Sequence, residues 1–240
     1  MMGIALPNLG LSKSFNKLNP SFMPMGDYVI IIHGLLRTKF SMRKYANILE
    51  DMGLKVLMFG YNSRSNNINY FADVELVKFI HHNCIDKAKK IHFVTFSMGG
   101  IVARVHLHNH PKINIGKVVM IAPPNHGSNW ANILSRFYLA RLIWGPSLTD
   151  LKEGEGTFIS TLPNNVNYEC GVIAGDKPLL GFLFDFILEK PHDSKVTVKS
   201  TKLENIKDHI VLPHGHFGLL NAADTIFQTI YFLNHGYFYK

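Results

Sequence analysis

The chain of 240 residues holds only two cysteines, Cys84 and Cys170. With no CxxC pair and no close histidine partner, they exclude a disulfide framework and a cysteine-based zinc site, and they point to a reducing compartment. Also missing is an apolar run of the roughly 18 to 20 residues that a membrane span needs. The N-terminal segment carries Lys13 and Lys17, but Pro7, Gly10 and Pro20 interrupt it before any signal-peptide core can form. These absences predict a cytoplasmic protein, with peripheral contact at an anionic membrane left open. Acidic residues are scarce, 17 Asp and Glu against 25 Lys and Arg, for a net charge of +8. Such a balance favours anionic surfaces. The tightest basic cluster, Lys87, Lys89 and Lys90, reads as a solvated helix end, and no basic patch is interleaved with aromatics, so nucleic acid is not an expected partner. Repeats and low-complexity segments are absent too.

What is present is a 47% apolar composition, enough for one sizeable core. We expect an N-terminal extension over residues 1–26 and a single domain over 27–240. From residue 27 onward, short β-branched runs alternate with amphipathic stretches, the rhythm of an α/β fold with a mostly parallel central sheet flanked by helices. Strands are predicted at residues 28–32, 55–59, 91–95, 117–121, 168–174 and 195–199. Helices are predicted at 41–51, 70–89, from Ser97 to about 108, and at 222–233. Between about 128 and 165 the rhythm fails. One amphipathic stretch, residues 130–144, followed by a Gly-rich segment, reads as an insertion over the sheet.

One strand runs straight into Phe96-Ser97-Met98-Gly99-Gly100 and then a helix. A serine on such a turn has its hydroxyl exposed and lies at a helix N-terminus rich in backbone N–H groups. The flanking positions must be small, and here they are Thr95 and Gly99. A serine alcohol needs a histidine to take its proton and an acid to orient that histidine. Among 13 histidines, His216 lies just ahead of the last helix, with His214 as its rival, whereas His209 and His235 read as surface residues. Asp193 and Asp176 both compete for the acid. An oxyanion needs two N–H donors: Met98 follows the serine, and Leu35 follows the first strand, where Gly34 lets the backbone come close.

These residues carry a resemblance. From about Tyr28 to Phe238 the chain resembles the lipase-like α/β hydrolases of bacteria, on Ile31-Ile-His-Gly-Leu-Leu-Arg-Thr38, Phe93-Val-Thr-Phe-Ser-Met-Gly-Gly-Ile101, Ala122-Pro-Pro-Asn-His-Gly-Ser128, Gly171-Val-Ile-Ala-Gly175, Asp208-His-Ile-Val-Leu-Pro213 and the segment opened by Asp193-Ser-Lys-Val. The resemblance implies an α/β-hydrolase fold with a helical cap or lid and an acyl-ester hydrolase with a Ser-His-Asp triad. It assigns the nucleophile to Ser97, the acid to Asp193 and the base to His216, so His214 and Asp176 fall back. Two departures stand out: Phe96 where such sequences usually have His, and Ser194 where they usually have Gly.

His33, Gly34, Trp130 and Phe137 are expected to meet a small-molecule acyl ester or lipid. The apolar stretch 130–144, with Arg136 and Arg141, reads either as a mobile lid suited to a lipid interface or as a fixed cap buried on the catalytic face. Phe182, Leu183, Phe184, Phe186, Ile187 and Leu188 form a second apolar stretch, for an acyl pocket or for core. No metal or organic cofactor is implied, and the sequence leaves the oligomeric state open. Acyl transfer, or thioester or amide cleavage, would use the same acyl-enzyme. The two departures and the basic charge also leave room for a catalytically silent binding module.

Overall fold

The computed structural model describes residues 26–83, 86–178 and 185–240. The N-terminal extension up to residue 25, Cys84 and Phe182 to Phe184 lie outside the described residues. Six strands, β1 (Tyr28–Ile32), β2 (Lys55–Phe59), β3 (Ile91–Phe96), β4 (Ile115–Ile121), β5 (Cys170–Gly175) and β6 (Asp208–Leu212), form one sheet in the order β2-β1-β3-β4-β5-β6. Every neighbouring pair is parallel. A parallel sheet covered on both faces calls for strands that are apolar on both sides. In β1, Ile30 and Ile32 enter one core while Val29 and Ile31 enter the other.

The first core is closed by a bent helix, α2, made of Ile68–Tyr70, a π-helical turn at Phe71–Glu75 and Leu76–His82, together with α3 (Met98–Asn109). The second lies under α1 (Arg43–Asp51) and the last helix, α9 (Ala223–His235). The chain moves from β1 outward to β2, then returns to place β3 on the other side of β1. That reversal opens a crevice beyond the carboxyl ends of β1 and β3, where ligands settle in open α/β sheets. The loops carrying Gly34 and Ser97 both emerge there.

Three elements differ from the sequence reading. The strand expected at 195–199 is instead a turn leading into α7 (Val198–Thr201), because the Thr197 side chain accepts the Ser200 N–H and caps a helical turn. The sixth strand is β6, whose Asp208 and His209 interrupt its apolar pattern. The stretch 130–144 is two helices, α4 (Asn129–Leu134) and α5 (Tyr138–Trp144), broken where Phe137 turns extended, and α6 (Ser147–Asp150) follows. The helix expected over 70–89 starts earlier, where the Asn67 side chain accepts the Tyr70 N–H, and ends at His82.

Candidate active site

Ser97 follows β3 directly and has φ 52 and ψ −124, a positive-φ conformation that a non-glycine residue holds only under tertiary constraint. Its N–H is tied to Ile121 O at 2.8 Å. The turn needs glycine two residues on, since a Cβ on Gly99 would lie 2.7 Å from His33 O and closer still to Ile32 O. Thr95, on the other side, is fully buried and is accommodated.

His216 is the first residue of α8 (His216–Leu219), an element ahead of α9. Its Nε2 lies 3.1 Å from Ser97 Oγ and its Nδ1 2.7 Å from Asp193 Oδ2. A carboxylate only accepts, so Nδ1 carries the proton and Nε2 is left to accept from the serine hydroxyl. Asp193 is 1% exposed, and its Oδ1 accepts the N–H groups of Lys195 (2.9 Å) and Val196 (2.8 Å). The His216 N–H donates to Asp193 O at 2.8 Å, binding the two loops together.

Neither departure from the family pattern disturbs this relay. Ser194 does adopt φ 90, and its N–H donates to Nδ1 of the buried His192, whose Nε2 reaches Asp185 Oδ1 at 3.1 Å. The Phe96 ring packs 5.0 Å from the His216 ring and leaves the path to Ser97 open. Among the rivals, His214 Nε2 sits against both carboxylate oxygens of Asp224 at 2.8 and 2.9 Å, and Asp176 is exposed beyond β5. His209 and His235, read as surface residues, are both partly buried: His209 contacts Thr201 Oγ1 at 2.9 Å, and His235 stacks on Tyr231.

After β1 the chain presses against the serine turn. A Cβ on Gly34 would lie 3.1 Å from both Phe96 and the Ser97 Cβ. His33 is fully buried, stacked on Tyr61 at 4.3 Å, and its Nδ1 donates to Gly34 O at 2.9 Å. Burial lowers its pKa, which keeps the ring neutral. It braces this loop and does not line the cavity. Leu35 does, and Met98 opens α3.

The cavity over Ser97 has room for water-sized molecules over only about 30 Å³, and Leu35, Trp130, Trp144, Lys195, His216 and Phe217 are among its walls. Trp130, one of the residues expected to meet substrate, is thus one of the walls, whereas Phe137 is not, being 61% exposed at the break between α4 and α5. Nor is α5 a buried cap, since Tyr138, Leu139, Leu142 and Ile143 are all exposed. Three residues escaped sequence reasoning. Lys195 Nζ lies 3.8 Å from the centre of the Trp130 ring and 5.1 Å from those of Trp144 and Phe217, while Arg37 stacks on Phe217 at 4.2 Å. Burial pushes the Lys195 ammonium down to about 8. Ser128 Oγ donates to Lys195 O at 2.5 Å, joining the insertion to the acid-bearing loop. Chemically, a relay of this kind can draw the proton from a serine hydroxyl as its oxygen attacks an acyl carbon.

The same architecture recurs in solved structures. Mature lipase BlEst2 of Bacillus licheniformis superposes with a TM-score of 0.70 at 17% identity, covering 88% of this chain and 94% of that one. The lin2722 gene product of Listeria innocua gives 0.60 at 14% identity, with coverage of 88% and 94%. The fold is that of the α/β hydrolases. Phospholipase PlaB of Legionella pneumophila aligns over 73% of this chain and 45% of its own length, with a TM-score of 0.58 and 17% identity. No protein-family model matches the sequence, and no curated protein does. Within this α/β-hydrolase fold, the relay occupies the carboxyl edge of the sheet, and α4 and Trp144 roof it.

Proposed function

We propose that the protein is a serine hydrolase that cleaves carboxylic acyl esters, with Ser97 as nucleophile, His216 as general base and then acid, and Asp193 as the acid that orients it. The observation that carries this reading is the continuous relay from Ser97 Oγ to His216 and on to the buried carboxylate of Asp193, at 3.1 and 2.7 Å. Ser97 Oγ attacks the acyl carbon while His216 Nε2 takes its proton. The developing oxyanion is received by the N–H groups of Leu35 and Met98. His216 then returns the proton to the departing alcohol, and water, activated by the same nitrogen, releases the acid. Gly34 lets the Leu35 loop approach, and Trp130 bounds the acyl or alcohol portion.

Similar structures that are lipases and esterases support ester or lipid substrates. The exposed apolar residues of α5, next to Arg136 and Arg141, suit peripheral contact with an anionic lipid surface. No helix of the described residues is long and apolar enough to cross a membrane. The reading treats residues from 27 onward as one hydrolase domain, with the insertion as its cap. Replacing Ser97 with Ala should abolish both fluorophosphonate labelling and p-nitrophenyl ester turnover. A variant that still labels overturns the assignment. Running the reaction with competing alcohols and amines separates hydrolysis from acyl transfer.

A further inference from the structure

At the other end of α3 from Ser97, roughly 14 to 20 Å along the helix at 1.5 Å per residue, three side chains converge that the hydrolytic reading does not use. His106 lies in the last turn of α3, and His110 is the residue that caps it, its N–H bonded to His106 O at 2.9 Å. Asp73 comes from the π-helical turn of α2 packed against them. Their ligating atoms all lie within 4.8 Å of one another.

The protonation pattern is that of a metal ligand. His106 is 1% exposed, and its Nδ1 lies 2.7 Å from Ala72 O. A backbone carbonyl only accepts, so Nδ1 holds the proton and Nε2 carries a lone pair. That Nε2 is buried with no hydrogen-bond partner among the described residues. A ligating histidine has its outer N–H held by a carbonyl in the same manner. The π turn frees that carbonyl: the Leu76 N–H reaches back to Phe71 O, one residue beyond the α-helical partner, Ala72 O. His110 Nε2 lies 3.2 Å from Asp73 Oδ1, close to the spacing of about 3.4 Å between ligand atoms around a tetrahedral ion with bonds of about 2.0–2.1 Å. Asn109 Nδ2 donates to both carboxylate oxygens, at 3.2 and 2.9 Å, and fixes their orientation. Asp73 and His110 are about one-third exposed, and both histidines line a cavity of about 720 Å³, which gives an ion and a water ligand a way in.

We propose that Asp73, His106 and His110 bind a divalent transition-metal ion of zinc's chemistry through two imidazole nitrogens and one carboxylate oxygen. On binding, the His110 proton passes from Nε2 through solvent to Nδ1, and the ion takes its place between ring and carboxylate. Asn109 keeps its bond to the other carboxylate oxygen. The two partly exposed ligands, Asp73 and His110, can be changed without touching the buried ring. Protein stripped with chelator is titrated calorimetrically with Zn²⁺, in parallel with His110→Ala and Asp73→Asn, and Co²⁺ serves as a spectroscopic substitute. The expected result is one equivalent bound by the unaltered chain, a tetrahedral Co²⁺ absorption, and affinity at least about tenfold weaker in each variant, the least that losing even an outer-sphere partner costs. Equal affinity in all three proteins, or no binding to the unaltered chain, overturns the proposal. Ester turnover by either variant has no bearing on this readout.

Discussion

Asp193→Asn is the sharpest perturbation of the relay, because the geometry dictates how the new amide must sit. Oδ1 accepts two backbone N–H groups, from Lys195 and Val196, in a site 1% exposed to solvent. Turning an NH₂ toward those donors would bury two clashes, each costing about 1–3 kcal/mol. The amide oxygen therefore keeps that position, and its NH₂ faces His216 Nδ1. The ring must then accept at Nδ1 and carry its proton on Nε2, where it can no longer take one from Ser97. In serine proteases the equivalent wrong tautomer lowers kcat by about 10⁴-fold, or about 5 kcal/mol in the barrier at about 1.4 kcal/mol per decade. Steady-state hydrolysis of a p-nitrophenyl ester measures it, with a melting curve to verify that the variant is folded. Folding should be nearly unchanged, since volume and the two backbone bonds are retained. Asp193→Ala would be a poorer test because it strips both N–H donors of their acceptor. A folded Asp193→Asn protein that kept more than about a tenth of the activity would refute the relay reasoning.

Two further outcomes follow from buried cations. Arg104 is 4% exposed and donates to the carbonyls of Asn125 (2.7 Å), Leu162 (3.4 Å) and Pro163 (2.6 Å), pinning the far end of the insertion to α3. Arg104→Met orphans those carbonyls and should cost about 2–4 kcal/mol in urea unfolding; a loss under about 0.5 kcal/mol would contradict that role. Lys195 is held near 8 by burial, so in the fold it discharges above that pH while the unfolded chain keeps its proton until about 10.4. Between those values the unfolded state binds more protons, and this residue makes stability rise with pH. The melting temperature of the unaltered protein should gain on that of Lys195→Met across that window, and parallel curves would count against it.

The α/β rhythm was readable because parallel strands buried on both faces carry continuous apolar runs, as β1 does over its whole length and β2 to β5 do over most of theirs, with Lys55, His92, Thr95 and Lys117 as the polar interruptions. β6 was not readable as a strand, since it begins with Asp208 and His209, and the β-branched run at 195–199 took its place until Thr197 capped a helical turn. Ser97, Asp193 and His216 were legible through local turn chemistry, with the resemblance choosing among rivals. Lys195, Phe217 and Arg37 were not, because their meaning lies in ring contacts that chain order does not encode. The same holds for Asp73, which reaches His106 and His110 from another helix, and for the fully buried place of His33. Phe137 fell on the wrong side of a break in what reads as one continuous amphipathic stripe.

The π turn at Phe71–Glu75 has a consequence in chain length. It accommodates one residue more than an α-helix of the same span would hold, and each residue of such a helix turns it by about 100°. Deleting one residue there would return the Ala72 carbonyl to the helix and swing the preceding segment around by more than a quarter turn. His106 would lose the partner that fixes its tautomer. A cluster of three side chains on two helices thus depends on a length difference of one residue, a change that a comparison of residue types alone would never register.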